Sequence, residues 1–233
     1  MGLKQLIRRM VLGVKADPQT YASYLRKKGV EIGERTTFFS PTTNTVDLTR
    51  PWLLKIGDDV QITNGVTILT HGYDWSVLKG VYGEVLCSSG KVTIGNNVFI
   101  GMHTTILKGV TIGDNVIIGA NSLVNADIPS NCVAVGSPVR VISTLEEYKS
   151  KREKRQYEEA AELVREYRKE YGRDPGAKEL HELFWLFCND LGQLEEPWIE
   201  MMKLVGNESV SNECLCRNKP MFGSMAEFLA SVK

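Results

Sequence analysis

The sequence predicts an all-β parallel β-helix flanked by helical segments. Three observations carry that expectation: large aliphatics recur every six residues, glycine or small polar residues recur at a fixed place between them, and both patterns stop after Ile142. Ile94, Ile100, Ile106, Ile112, Ile118 and Val124 form the first series, whose spacing is no helix period. Val98, Thr104, Val110, Val116, Ser122 and Ile128 lie four places after each, so every unit reads as a short strand and a turn. Asp59, Gly65, His71, Asn97, His103, Gly109, Asn115 and Asn121 occupy the third place after an aliphatic. All are types that tolerate a left-handed backbone, which predicts a corner at each. Six residues are too few for a helical crossover. The coils must therefore stack, each burying its aliphatics against the next for about 1.5–3 kcal/mol per side chain, and stability should be collective.

The same pattern runs upstream through Ile56, Ile62 and Ile68, with Ile32 and Phe38 in phase. From Ile68 to Ile94 the interval is not a multiple of six, so the register is reset between them. An insertion, GYDWSVLKGVYGEVLCSSG at 72–90, separates His71 from Lys91. A non-periodic loop of this length in a compact domain is usually functional, and Tyr73, Trp75 and Tyr82 predict that it is ordered.

The ends read differently. Asp17 and Pro18 form an N-cap and first-turn pair, Gly29 ends the TYASYLRKK segment, and with LKQLIRRMV before it this short helix is read as a cap for the first coil, with a grip on the acceptor or membrane-surface contact through the basic face as the alternatives. After Ile142 a charged helix runs to Gly172, supported by many i,i+4 pairs of opposite sign. Asp174 and Pro175 predict a second helix through ELHELFWLFCNDL, with Leu180, Leu183, Phe184 and Phe187 on its apolar face. Trp198, Ile199, Met201 and Met202 predict a third and SMAEFLASV a fourth. The expected organisation is a helical segment over 1–29, a β-helix over 30–143 with the loop 72–90, and a helical extension over 144–233.

With 28 basic and 28 acidic residues the formal net charge is zero, which argues against bulk steering toward nucleic acid. The apolar run Met10 to Val14 is shorter than a signal-peptide core or a membrane span, so the expectation is a cytoplasmic protein without an integral membrane segment. Five cysteines in no paired spacing predict reduced thiols and no metal site.

KVTIGNNVFIG, GVTIGDNVIIGANSLV and DIPSNCVAVGSPVRVI resemble the hexapeptide-repeat acetyltransferases of the galactoside and maltose O-acetyltransferase type, over about Tyr21 to Ile142. The resemblance implies a left-handed prism, a homotrimer with active sites between subunits, and O-acetyl transfer from acetyl-CoA. Gly72, where the family often has proline, continues as Tyr73, Asp74 and Trp75. This resembles the branch acting on capsular and cell-surface polysaccharides and implies a sugar or polysaccharide acceptor. Enzymes for serine or antibiotic acceptors share the prism, and a non-catalytic trimeric scaffold is the reading from another class.

Spacing alone leaves His71 as one more corner or as a base at the junction of a rigid coil and an aromatic loop. The family's catalytic histidine precedes a protruding loop in a segment resembling VTILTH, which implies His71 as general base, a task suited to imidazole. A backbone N–H after Gly101, that of Met102, is implied as the oxyanion donor. Asn44, Asp74 and Trp75 are the candidate acceptor contacts. Gly101, Met102, Ala120 and Asn125 are the candidates for the acetyl-CoA groove, and Arg140 for its phosphates. The family's lysine and second arginine are replaced by Ala126 and Ser143.

Overall fold

A computed structural model of the chain describes residues 3–233. The chain divides after Tyr148 into two compact units.

In the first unit fourteen short strands collect into three sheets, each taking every third strand for most of the chain. One sheet joins β1 (Glu31–Ile32), β4 (Leu54–Ile56), β7 (Val92–Ile94) and β10 (Thr111–Ile112). The second joins β2 (Thr37–Phe38), β5 (Gln61–Ile62), β8 (Val98–Ile100), β11 (Val116–Ile118), β13 (Cys132–Val135) and β14 (Arg140–Thr144). The third joins β3 (Thr45–Val46), β6 (Thr67–Ile68), β9 (Thr105–Ile106) and β12 (Leu123–Val124). All pairings are parallel except β13 with β14, which turns back and closes the end of the second sheet. This is a parallel β-helix whose aliphatic column, including Ile56, Ile62, Ile68, Ile94, Ile100, Ile106, Ile112 and Ile118, is fully buried.

The register explains the sequence phases. Ile94 pairs with Ile112, three units of six further along. Ile32 pairs with Ile56 and Phe38 with Ile62, each pair four units of six apart, whereas the span from Val46 to its partner Ile68 is not a multiple of six. Small insertions on both sides of β3 thus add up to one further unit of six, which keeps Ile32 and Ile56 in phase across an irregular coil. Ile56 pairs with Ile94 across the long loop, where the phase changes.

The corners are held by polar columns. Asp58 Oδ1 accepts from the Glu34 N–H at 2.6 Å, Asn96 Oδ1 from Asp58 N at 2.9 Å, Asp114 Oδ1 from Asn96 N at 2.6 Å and Ser130 Oγ from Asp114 N at 2.9 Å. Beside it the amides of Asn97, Asn115 and Asn131 bond head to tail at 2.9 Å. These side chains replace water for backbone groups that the turns leave unpaired. Gly95 is required here because a Cβ would meet the Gly113 backbone at 2.8 Å.

Asp59, Gly65, Asn97, His103, Gly109, Asn115 and Asn121 all have positive φ, as the corner pattern predicts, and Arg35 and Asn131 extend it. His71 does not: it has left the corner and forms an antiparallel bridge with Ser89. The chain leaves the coil there instead of turning to the next face.

At the N-terminal side lie α1 (Leu3–Leu12) and α2 (Pro18–Lys27). The Asp17 carboxylate caps α2 by accepting from Thr20 N at 2.8 Å, and Tyr21, Ala22 and Leu25 are buried in the prism core. The inserted loop supplies α3 (Trp75–Tyr82).

In the second unit α4 (Leu145–Tyr171), whose first residues belong to the preceding unit, starts with a reciprocal cap between Thr144 and Glu147 and ends at Gly172, φ 65°. The helices are completed by α5 (Glu196–Lys203), α6 (Glu208–Cys216) and α7 (Met225–Ser231). The predicted second helix is not formed: residues 177–183 are turns and only Phe184–Leu186 form a 3-10 turn. Phe184, Leu186, Phe187 and Cys188 are all buried, which points almost consecutive side chains into the core. One helix face cannot do this. Phe184 stacks on Trp198 at 5.8 Å and Phe187 on Phe228 at 5.7 Å, which ties this segment to α5 and α7. The predicted third and fourth helices correspond to α5 and α7, whereas α6 was not expected.

Candidate active site

His71 stands at the neck of the inserted loop. Gly72 N–H donates to Ser88 O at 2.8 Å and Gly90 N–H to Thr70 O at 3.0 Å, so the two ends of the loop are zipped together around it. The loop then folds back as α3, and a cavity of about 250 Å³ opens in front of the imidazole. Arg50, Tyr73, Trp75, Val85 and Cys87 share its walls. The Tyr73 ring meets the His71 ring edge to face at 4.9 Å.

Behind the imidazole is Asp47, whose side chain is 4% exposed and His71's 11%. Asp47 Oδ2 lies 2.5 Å from His71 Nδ1, and it also accepts from Thr70 Oγ1 at 2.5 Å and Thr70 N at 3.1 Å. Oδ1 accepts from Thr49 N at 2.9 Å and Thr49 Oγ1 at 2.7 Å. Burial by itself would raise the carboxyl's pKa, but the bonds from Thr70, Thr49 and His71 outweigh it and hold the group well below the usual carboxylate range. An ionised Asp47 only accepts, so Nδ1 carries the proton and Nε2 keeps its lone pair. The arrangement is an oriented base: a carboxylate fixes tautomer and ring plane, and the free nitrogen is available to take a proton.

Asp47 was not among the sequence candidates. It precedes His71 by one coil of irregular length, and Asp47 N–H donates to Ile68 O in the ladder that sets the two side by side. Its signal was the sequence VDLTRPW, a carboxylate followed by a threonine and a break in the repeat. Asp74, a candidate acceptor contact, is exposed near the start of α3, and the carboxylate beside the imidazole is that of Asp47.

The other candidates fall in three places. Trp75 joins His71 in the cavity. Asn44 is 1% exposed; its Nδ2 donates to Thr63 O at 2.8 Å, and its Oδ1 is buried without a partner. It sits in the wall of the coil and does not line the cavity. Gly101, Met102, Ala120, Asn125 and Arg140 lie along the upper coils. Gly101 N–H donates to Ile118 O at 2.8 Å, and a Cβ there would be 2.5 Å from Ala120 N, so the two coils touch backbone to backbone. Met102 is 46% exposed and its carbonyl accepts from Asn121 N at 2.7 Å. Ala120, Asn125 and Arg140 are exposed, and the Arg140 guanidinium bonds to the adjacent Val139 carbonyl. His103 is exposed at its corner, φ 58°, with its ring over Gly65. Among the described residues no helix is long and apolar enough to cross a membrane.

The family model for bacterial transferase hexapeptide, six repeats, matches residues 91–126. Protein CapG of Staphylococcus aureus is 41% identical over 127 residues, which are 54% of this chain and 73% of that protein. The galactoside O-acetyltransferase of Escherichia coli is 37% identical over 126 residues, 54% of this chain and 58% of its own length. Among solved structures, a maltose O-acetyltransferase from Clostridium difficile is 32% identical, with 54% of this chain and 75% of that chain covered and a TM-score of 0.37. A repeat match inside the prism and a relative covered over most of its length place the chain in one family: it belongs to the bacterial hexapeptide transferases and is an acetyltransferase.

Proposed function

We propose that the chain transfers an acetyl group from acetyl-CoA to a hydroxyl of a sugar or polysaccharide precursor, with His71 as general base and Asp47 as its positioning residue. The observation that carries this reading is the Asp47–His71 pair, 2.5 Å apart, at the mouth of a cavity with aromatic walls. His71 Nε2 takes the proton of the acceptor hydroxyl as its oxygen attacks the thioester carbonyl. The carbon–oxygen bond forms, the carbon–sulfur bond breaks, and the proton passes from Nε2 to the leaving thiolate. Asp47 stabilises the transient imidazolium. The Met102 N–H faces the negative charge that develops on the carbonyl oxygen.

The donor's groove suits the residues along the upper coils. Ala120 presents only a methyl between β11 and β12, Asn125 follows β12, and Arg140 offers a cation for phosphate. Tyr73 and Trp75 supply flat apolar faces against which a sugar ring stacks, and Asp74 supplies an acceptor for its hydroxyls. The reading includes left-handed winding and a homotrimer with the groove between subunits. Phe99, 40% exposed, and its half-buried neighbour Ile117 form an outward pair on the second sheet that a neighbouring prism would cover, and Leu123 lies half-buried on the third sheet.

The test is thiol release from acetyl-CoA over a panel of sugars, oligosaccharides, serine and aminoglycosides, with light scattering on the same samples. Transfer to a saccharide hydroxyl is expected, with a fall of about 10²–10⁴-fold in His71→Asn. Wild-type turnover in His71→Asn would overturn the base assignment. Transfer to serine alone would overturn the acceptor, and a fully active monomer the shared groove.

A further inference from the structure

We propose that α1 lies in the surface of an anionic phospholipid bilayer and holds the enzyme there. Leu6, Ile7, Met10 and Val11 recur at helical spacing as one apolar stripe, and Arg8 and Arg9 fall outside it. Among the described residues nothing covers the stripe: Ile7 is 52% exposed, Met10 80% and Val11 75%. Its neighbour α2 does the opposite and buries Tyr21, Ala22 and Leu25. Gly13, φ 55°, separates the two helices, and Lys15 anchors the connection by donating to the Asn44 carbonyl at 3.0 Å.

Charge selects the occupant. The first sixteen residues contain Lys4, Arg8, Arg9 and Lys15 and no acid, in a chain whose formal net charge is zero. Beside the stripe Arg8, Arg9 and Gln19 line a cleft of about 280 Å³, room for a phosphate headgroup. Asp17, the acid in that cleft, is already engaged by Thr20 and by Arg9 at 3.4 Å. A second copy of the same face would bring cation against cation. A bilayer with anionic headgroups offers acyl chains to the stripe and phosphates to the arginines together.

The test uses the full chain and vesicles of phosphatidylcholine with or without phosphatidylglycerol, separated by sedimentation at low salt. Binding to the phosphatidylglycerol vesicles is expected to exceed that to phosphatidylcholine alone. Arg8→Gln with Arg9→Gln should lower it about 30-fold, and Met10→Glu with Val11→Glu at least about 100-fold. Met10→Leu with Val11→Leu keeps the stripe and should bind as wild type does. All four proteins should acetylate a soluble acceptor equally, since none of these residues is in the catalytic site. Equal binding to both vesicle types, or unchanged binding by the glutamate variant, overturns the proposal. So does a lower solution mass of the glutamate variant without lipid, because the stripe is then a subunit contact. Release from vesicles by millimolar inorganic phosphate at constant ionic strength also overturns it, because the cleft then takes the free ion.

Discussion

Asp47→Asn is the substitution that separates an oriented base from a histidine that merely lines a cavity. The amide has the size of the carboxylate, so packing is kept while charge and one acceptor are lost. Three donors converge on Oδ2 (Thr70 N, Thr70 Oγ1 and His71 Nδ1) and two on Oδ1 (Thr49 N and Thr49 Oγ1). The amide oxygen should therefore take the Oδ2 place and turn its NH₂ toward Thr49, whose hydroxyl can rotate to accept but whose N–H cannot. That clash costs about 1–3 kcal/mol of stability. At His71 a charge-assisted bond of about 1.5–3 kcal/mol becomes a neutral one of about 0.5–1.5. The difference of about 1–2 kcal/mol at the imidazolium stage corresponds to a fall in kcat of about 5–30-fold. Steady-state thiol release should show this loss in kcat with the KM for acetyl-CoA unchanged. Thr70→Val, which removes a donor to Asp47 but leaves the carboxylate beside His71, should lose stability with a smaller effect on kcat. Wild-type kcat in Asp47→Asn would refute the positioning role.

The same carboxyl has a pH signature. Its pKa is lower in the folded chain than its ordinary value, so its contribution is complete above about pH 5 and is lost as the pH falls toward the folded value. Acid titration of the melting temperature should be shallower in Asp47→Asn than in wild type; identical slopes would contradict the hydrogen-bond account. His103→Ala should destabilise by about 1–2 kcal/mol, because alanine is strained at a positive φ that His103→Asn would tolerate; both should keep transfer activity, and loss in the asparagine form would give His103 a chemical role. Gly101→Ala places a Cβ 2.5 Å from Ala120 N, and the coils must part, for a loss of about 1–3 kcal/mol in thermal unfolding. Deletion after Tyr148 should leave β circular dichroism intact, since each coil is stabilised mainly by its neighbours; collapse of that signal would make the helices part of the same folding unit.

The sequence by itself was enough for the repeat architecture, because every coil obeys the same local rule: an aliphatic inside, and at the corner a residue that accepts a left-handed backbone. It was also enough for the caps at Asp17 and Gly172, which depend on a few adjacent residues. His71 could be picked out because the repeat stops beside it, although the same pattern wrongly put it on a corner. Only the tertiary structure decided its partner. Asp47 reaches His71 through the register of two coils, one lengthened by insertions on both sides of β3 and the other leading into the loop 72–90, and no local rule counts across such irregularities. The failed second helix has the same origin: Phe184 and Phe187 meet Trp198 of α5 and Phe228 of α7, Leu186 and Cys188 are buried in the same core, and contacts between distant segments overrode the helical propensity of their own stretch.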